Sequence, residues 1–343
     1  MKAYEIHTKR IKENEDLAQL IAALLSDGSV ERGLLMKFVN KDPVLIKKFI
    51  DLSLKVFRFP KEKVKGNFSK IHEQQVKRAY FCSVRAVSYL HQFTSTFRTK
   101  PFRSPNKELI SYPNSTIPKF IIMGEKPIKA AFLQMYASCD GCVELNLRYV
   151  TRDKRYDLRG YITFFCKHPI IHQQLFELLK SMGFNPIKKI YEKTSIIQLT
   201  KTNEIKKFRK EISFINNCKI TNSNWRVYFY WKEKENVLDL LIHILENGMP
   251  KNLTYCAKNA KNKGKIIKYL TNFLNIIEDG GELENIKYKA NRNFLTVEER
   301  KWITNRKELY LENNVPYKLL TKQFSNKFNK EILPQTIFYY KHK

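Results

Sequence analysis

The sequence predicts an α+β protein: two related units, each built as helix, two strands, helix, two strands, helix, followed by a mostly helical C-terminal region. Three observations support this prediction. An apolar stretch with helical spacing ends in Asp-Gly twice, at Leu17–Val30 and at Lys129–Val143. A similar order of predicted elements follows each copy. Beyond about residue 223 the strand pattern gives way to helical periodicity.

Both apolar stretches end in a way that concentrates negative charge. Gly28 and Gly141 suit a left-handed residue that closes a helix. Asp27 and Asp140 then lie at helix C-termini, where the macrodipole is already negative and carbonyl oxygens lack partners. Two such ends side by side predict either a cation site or an unfavourable place for an acid.

The first unit continues with a helix that starts at Asp42-Pro43, where Asp is the N-cap and Pro lies in the first turn. Its apolar face extends to about Val56. The strands predicted around this helix are Leu34–Asn40, Val64–Ile71 and Lys77–Arg85, and the closing helix is Val87–Phe97.

The second unit shows the clearer strand pattern, because Val143–Val150 alternates apolar and polar residues. His168-Pro169 echoes the earlier helix start. The further elements predicted here are strands Tyr161–Cys166, Ile187–Tyr191 and Ser195–Lys201 and a final helix at 202–214.

Composition shifts divide the chain further. The predicted ranges are a charged arm at 1–14, the first unit at 15–97, a proline-rich linker at 98–125, the second unit at 126–222, a winged-helix region at 223–292 and a helix-turn-helix region at 293–343.

The C-terminal prediction rests on amphipathic segments. They are helices Glu235–Glu246, Leu253–Ala260 and Lys265–Asp279, a β wing after Gly280-Gly281, and helices Val297–Glu312, Pro316–Phe328 and Pro334–Lys341. The last helix is basic and aromatic and could enter a major groove. The alternative is a helical cap that packs on the two units.

Charge is the strongest global signal. The 343 residues contain 63 Lys and Arg against 33 Asp and Glu, a net charge of +30 and a pI of about 9.8. Such an excess predicts a polyanionic partner, because neutralised phosphates release counterions. An AT-rich genome would explain the preference for Lys over Arg but not the excess itself.

No apolar run reaches the ~20 residues that span a bilayer, and residues 1–16 lack the apolar core of a signal peptide, so an intracellular location is expected. Six cysteines then predict free thiols in a reducing compartment. An alternative places Cys139 and Cys142 in a zinc site with Cys166 and His168.

The two Asp-Gly stretches resemble the LAGLIDADG motif of homing endonucleases. One copy is Leu20–Gly28 and the other is Leu133–Gly141, with their aspartates 113 positions apart. The resemblance covers roughly residues 15–222, about three fifths of the chain. It implies two pseudo-twofold related units whose motif helices pack together and whose sheets form a saddle-shaped surface on double-stranded DNA. One chain carries both copies, so a monomer is expected.

The resemblance also implies a site. The acid before the glycine is the metal ligand in this family, which assigns Mg²⁺ (or Mn²⁺) to Asp27 and Asp140 for phosphodiester hydrolysis. A basic residue near the metals is carried over onto Arg85 and Lys201. The predicted base-reading residues lie on polar strand faces and are Glu144, Asn146, Arg148, Gln198 and Thr200.

The sequence departs from the motif at three positions. Met135 stands where the motif normally has glycine, and Leu25 and Ser138 replace its earlier acid, which is not the metal ligand. Site-specific, metal-dependent cleavage of double-stranded DNA is therefore the predicted function. The alternatives are a non-cleaving DNA-binding regulator, which the C-terminal region favours, and a maturase that binds intron RNA.

Overall fold

The computed structural model describes residues 11–31, 33–58, 65–71, 74–150, 155–191, 195–221, 229, 231–247, 249–250, 263–278, 288–290, 295, 297–306, 317–332, 334 and 336–337. Most of the predicted arm, the predicted helix Leu253–Ala260 and most of the predicted helix Pro334–Lys341 lie outside them. The chain divides into a large unit (Met1–Glu144, Tyr161–Ser223 and Tyr230–Glu235) and a small unit (Leu145–Gly160, Asn224–Phe229 and Asn236–Lys343).

The first repeat follows the predicted element order. Its elements are α1 (Glu15–Ser26), β1 (Gly28–Glu31), β2 (Leu35–Asn40), α2 (Pro43–Phe57), β3 (Lys65–Ile71), β4 (Gln74–Cys82) and α3 (Val84–Leu90). The strands form an antiparallel sheet in the order β1-β2-β4-β3. Asp42 caps α2 as predicted, accepting a hydrogen bond from the Val44 amide.

The second repeat has the same order after a short linker. The linker holds β5 (Phe102–Arg103), β6 (Leu109–Ser111) and α4 (Lys119–Ile122); the repeat holds α5 (Lys126–Asp140), β7 (Gly141–Val150), β8 (Arg155–Phe165), α6 (Pro169–Ser181), β9 (Ile187–Ile190), β10 (Ser195–Leu199) and α7 (Thr202–Glu211). Its sheet has the order β7-β8-β10-β9, the counterpart of the first. The predicted α+β class with two repeats is confirmed.

The motif helices α1 and α5 pack against each other. Nine consecutive residues of α1, from Leu17 to Leu25, are buried. A helix that is buried on every side suits a run with no polar face. In α5 Met135 is fully buried, so the side chain that replaces the usual glycine is accommodated inside the protein.

Each sheet has an inner face that packs on helices and an outer face opposite it. Phe38 of β2 stacks on Phe49 of α2 with ring centroids 4.9 Å apart, and Phe81 of β4 lies 5.7 Å from the same ring. In the second sheet Phe164 contacts Phe208 of α7 edge to face. Because side chains alternate along a strand, the residues between these positions lie on the outer faces.

The small unit combines helices with a short sheet. Its elements are α8 (Lys234–Asn247, which begins in the large unit), β11 (Met249–Pro250), α9 (Lys263–Glu278), β12 (Tyr288–Ala290), α10 (Val297–Asn305), α11 (Tyr317–Phe328) and β13 (Lys330–Ile332). The sheet order is β11-β12-β13, so both ranges predicted as C-terminal regions contribute strands. Within the described parts of the chain, no helix is long and apolar enough to cross a membrane.

Trp302, Phe324 and Ile332 belong to the core of the small unit. The ring of Trp302 meets that of Phe324 edge to face, with centroids 5.6 Å apart. The β7–β8 hairpin contributes to the same unit, because Gly160 lies against Leu241 of α8: a Cβ on Gly160 would come within 2.1 Å of a Leu241 methyl carbon. A larger residue at position 160 would therefore require the Leu241 side chain to move.

Candidate functional site

The two motif helices end at their Asp-Gly pairs, but the glycines are not left-handed as predicted. Gly141 has φ −114°, and Gly28 is not among the described residues with positive φ. Both glycines are instead required by close approach. A Cβ on Gly28 would lie 2.6 Å from the Cα of Leu24, and one on Gly141 would lie 2.6 Å from the carbonyl oxygen of Ala137. The chain turns directly from helix to strand, and only glycine leaves room for it.

Asp27 is held at the end of α1 by the first sheet. Its backbone oxygen accepts a hydrogen bond from the Val39 amide at 3.1 Å, and its Oδ2 accepts one from Asn40 Nδ2 at 2.6 Å. Burial raises the pKa of the Asp27 carboxyl, and the Asn40 hydrogen bond and the charges of Lys234 and Lys100 lower it in part.

Asp140 occupies the matching position at the end of α5. Burial raises the pKa of its carboxyl well above the ordinary range, the negative charge of Asp27 raises it further, and Lys234 and Lys100 oppose both effects. The fold therefore brings the two predicted aspartates within electrostatic reach of each other.

Lys234 is the cation placed most directly at this site. Its side chain is 4% exposed. Its Nζ donates to the carbonyl oxygens of Ser138 at 2.6 Å and Gly141 at 2.7 Å, with Ala137 at 3.3 Å. These oxygens belong to the C-terminal end of α5, the negative end of its dipole. The ammonium therefore binds the Ser138 and Gly141 oxygens and shares the Ala137 oxygen with the Gly141 amide, which also donates to it.

Ser138 shows what has replaced the earlier acid of the motif. Its hydroxyl donates to the main-chain oxygen of Gln134 at 2.7 Å and accepts a hydrogen bond from the Ile215 amide at 2.8 Å. The segment after α7 is thereby attached to the motif helix, close to where Lys234 binds.

Part of the oxygen donor set around the two aspartates is already hydrogen-bonded in this arrangement. Mg²⁺ needs few protein carboxylates, since waters and phosphates complete its octahedron, so two aspartates would suffice by number. However, the carbonyls at the end of α5 are taken by an ammonium, and Asp27 Oδ2 is taken by Asn40. In the described part of the chain, no group of three or more His, Cys, Asp or Glu could hold a metal ion.

The two predicted basic residues are not among the charges that shift the pKa values of Asp27 and Asp140. Arg85 is an exposed residue in the first turn of α3, because β4 ends earlier than predicted, at Cys82. Lys201 follows β10 and is the exposed N-cap residue of α7. Lys234, Lys100 and Asn40 were missed, because none of them belongs to a motif or stands at a predicted motif spacing.

The predicted base readers are placed unevenly. Glu144 is half-buried in β7, where the side chains of Asn146 and Arg148 lie outside the described residues, and Thr200 is half-buried just after β10. Gln198 is 4% exposed. Its amide donates to Thr163 Oγ1 at 3.1 Å and accepts from Lys189 Nζ at 2.6 Å, so it positions Lys189 on the outer face.

The alternative zinc site gains no support. Burial raises the pKa of Cys142 to about 12 and that of Cys166 to about 11, so both thiols are protonated in the metal-free protein. His168 uses both ring nitrogens structurally: Nδ1 accepts from the Ile171 amide, and Nε2 lies 2.6 Å from the Pro113 oxygen.

Two repeats of helix, two strands, helix, two strands, helix, with their Asp-Gly helices packed together, define a LAGLIDADG-type fold. No protein-family model matches the sequence, and no curated protein matches it.

Solved structures similar to this chain include the homing endonuclease I-DmoI and WhiA. One structure among mesophilic variants of I-DmoI is 12% identical to this chain, with a TM-score of 0.38. The match covers 58% of this chain and 96% of that one. I-DmoI in complex with DNA and Mn is 12% identical with a TM-score of 0.36, covering 59% and 97%. Full-length DUF199/WhiA from Thermatoga maritima is 11% identical with a TM-score of 0.40, covering 96% and 90%.

Proposed function

We propose that this chain binds double-stranded DNA through the outer faces of its two four-stranded sheets. The excess of 63 Lys and Arg over 33 Asp and Glu supports a polyanionic partner. A β-sheet can read the major groove, where each base pair presents a distinct set of donors and acceptors. The resemblance of the motif helices to the LAGLIDADG motif points to the same surface.

Arg78 carries this proposal. Strand register puts it opposite Val39 on the outer face, next to the pair formed by Lys37 and Tyr80. Its Nε is buried, and no described residue accepts a hydrogen bond from it. Arginine on a sheet face suits a phosphate or the edge of a guanine, both of which accept hydrogen bonds from its guanidinium group.

The test measures binding of fluorescent duplexes by anisotropy, with bound sequences then selected from a random library. The logarithm of affinity should fall with the logarithm of salt concentration, with a slope of about −0.9 for each phosphate contacted. Arg78→Ala should weaken binding roughly 10- to 100-fold, as expected for the loss of about 1–3 kcal/mol at a specific arginine contact. Lys47→Ala, which removes an exposed charge from α2, should change affinity much less.

Competition with structured RNA separates DNA binding from a maturase role. Duplex DNA should displace the probe at lower concentration than RNA hairpins do. Preferred binding of RNA, or equal losses in Arg78→Ala and Lys47→Ala, would contradict the proposed surface. Both motif helices come from one chain, so the active species should be a monomer by light scattering.

Metal-dependent cleavage is the second candidate, and the approach of Asp27 to Asp140 favours it. It predicts double-strand breaks in selected DNA sites that require Mg²⁺ or Mn²⁺ and vanish in Asp27→Asn and Asp140→Asn while binding persists. Intact DNA after prolonged incubation with either metal would leave binding as the function. The occupied donor set makes binding without cleavage the outcome that we expect.

A further inference from the structure

Lys234 does not come from either repeat. It begins α8, 93 residues after Gly141, and reaches the end of α5 from the segment that follows the second repeat. A buried lysine needs compensation for the water that its ammonium loses. Here the three N–H donors face three main-chain oxygens, of Ala137, Ser138 and Gly141.

The lysine is held by main-chain hydrogen bonds on its own segment. Its amide donates to the Cys218 oxygen at 2.9 Å. The Trp231 amide donates to Ile220 at 2.7 Å, and the Ile220 amide donates to Lys232 at 2.9 Å. Residues 213–221 and 231–235 thus form a paired arm, called here the lysine arm.

The neighbouring residue Glu235 joins the two segments of this arm and fixes them to α7. Its Oε1 accepts from Ser213 Oγ at 2.6 Å and from an Arg209 guanidinium nitrogen at 3.1 Å. Hydrogen bonds on both sides of Lys234 in the sequence therefore fix its position. Its ammonium is held in place, unlike that of an exposed lysine, which samples several rotamers.

The oxygens around this ammonium are the kind that a hard cation selects. Main-chain carbonyls and carboxylates are ligands of Mg²⁺ and Ca²⁺. The positive charge of Lys234 acts on both carboxylates, because it lowers the pKa of Asp27 and that of Asp140. The same arm is also linked to Asp27 by a chain of hydrogen bonds. The Lys219 amide donates to Asp42 Oδ2, the Asp42 amide donates to Asn40 Oδ1, and Asn40 Nδ2 donates to Asp27 Oδ2.

We propose that the Lys234 ammonium is a built-in cation that takes the place of the divalent ion in this LAGLIDADG-type centre, so that the centre stabilises the helix pair and binds no metal. The inference deepens the proposed DNA-binding function. It rests on that function only in the expectation that bound DNA is not cleaved. A divalent ion bound near this fixed positive charge is disfavoured by repulsion, and the main-chain oxygens of Ser138 and Gly141 are already hydrogen-bonded to the ammonium.

The experiment titrates Mn²⁺ into the full-length chain and follows free Mn²⁺ by electron paramagnetic resonance. Lys234→Ala should gain one stoichiometric Mn²⁺ site, and the parent should show none over the same range of Mn²⁺ concentration. Removal of one nearby charge should make Mn²⁺ binding by the variant tighter than that by the parent by a factor on the order of 100. Adding Asp140→Asn to Lys234→Ala should abolish the gain. Lys232→Ala, which loses the same charge on the same arm, should resemble the parent.

Stoichiometric Mn²⁺ binding by the parent that is lost in Asp27→Asn and Asp140→Asn would overturn the inference, and this test needs no Lys234 variant. Failure of a folded Lys234→Ala to gain a site would overturn it as well. If that variant does not fold, Lys234→Met keeps the length of the side chain without its charge. DNA affinity is measured in parallel, so that a parent that binds no DNA refutes the proposed function while the metal titration still judges the lysine.

Discussion

Gln19 of α1 donates from Nε2 to Oε1 of Gln134 in α5 at 2.9 Å, which joins the two motif helices through a polar pair inside an apolar contact. Gln134 also donates from Nε2 to the Phe214 oxygen at 3.3 Å. The pair links the helices to each other and to the start of the lysine arm. A directional bond in a non-directional interface fixes the register in which the helices meet.

Replacement of Gln134 by leucine should therefore cost about 1–3 kcal/mol of unfolding free energy, because the buried Gln19 amide and the Phe214 carbonyl lose their partners. Gln19→Leu should cost a similar amount. The double variant should cost less than the sum, since it leaves fewer unpaired groups. Urea unfolding of the four proteins measures this, and strictly additive losses would show that the two side chains are not coupled.

Asp140→Asn should become more stable than the parent as the pH rises. The folded carboxyl has a raised pKa, chiefly because it is buried. Between the unfolded and folded pKa values the folded parent keeps a proton that the unfolded chain has lost, so the parent loses stability with rising pH, by at most about 1.4 kcal/mol per pH unit from this group. Asparagine has no proton to lose.

Thermal melts at pH 4 and pH 7.5 without metal test this expectation. The two proteins should melt at similar temperatures at pH 4 and diverge at pH 7.5. Asp51→Asn, on the exposed side of α2, is the matched control and should show no such divergence. A variant less stable than the parent at pH 7.5 would mean that attraction to Lys234 outweighs burial.

Asp42→Ala should destabilise both α2 and the lysine arm. The carboxylate accepts from the Val44 amide as N-cap and from the Lys219 amide at 2.6 Å. Loss of the cap costs about 0.5–2 kcal/mol, and the unpaired Lys219 amide adds about 1–3 kcal/mol. Hydrogen exchange at the Lys219 amide should accelerate in Asp42→Ala. Asp42→Asn keeps one accepting oxygen for two amides, so exchange should also accelerate at one of the Val44 and Lys219 amides. Equal exchange in all three proteins would contradict this link.

The thiols should differ widely in reactivity. Burial raises the pKa of Cys166 and Cys218 to about 11 and that of Cys142 to about 12, whereas Cys82 is exposed. At pH 8 only on the order of one in a thousand thiols with a pKa near 11 is a thiolate, the form that reacts. Alkylation followed by peptide mass spectrometry should label Cys82 before Cys142, Cys166 and Cys218. Similar labelling rates at Cys82 and Cys142 would show that the motif region opens readily.

The small unit depends on a buried ion pair. Lys330 Nζ lies 2.5 Å from Glu299 Oε1, and both side chains are 4% exposed. Removing one partner of a buried pair typically costs about 3–5 kcal/mol, so Glu299→Gln should speed hydrogen exchange throughout α10. Glu298→Gln, an exposed neighbour on the same helix, should not. Unchanged exchange in Glu299→Gln would show that the pair adds no net stability.

The fold could be predicted because local signals and packing agree. Asp42-Pro43 and His168-Pro169 begin α2 and α6 as the sequence indicates, and each is followed by an apolar helical face. The Asp-Gly pairs mark the ends of both motif helices. The prediction that Gly28 and Gly141 are left-handed was wrong. The sequence shows that a residue lacks a Cβ, but it does not show whether the backbone dihedral or a neighbouring atom requires that absence.

The site was only half predictable. Asp27 and Asp140 stand inside a recognisable pattern, whereas Lys234 contacts the end of α5 across 93 residues and begins an ordinary amphipathic helix. In a chain with 63 Lys and Arg, one further lysine carries no signal. Gln198 was placed correctly on a polar strand face, but periodicity cannot show that Thr163 and Lys189 already occupy its amide.

The hydrogen bond between Asp42 and the Lys219 amide also bears on how the chain is made. A ribosome must add 177 residues after Asp42 before its amide partner exists, and Lys234 follows later still. The helix α1, with Leu17–Leu25 buried in the finished protein, also lacks its partner α5 until residues 126–140 have been added. Contacts this distant in sequence form slowly and leave apolar surface open to other chains. We therefore expect the first repeat to be most prone to association with other chains before α5 has emerged from the ribosome.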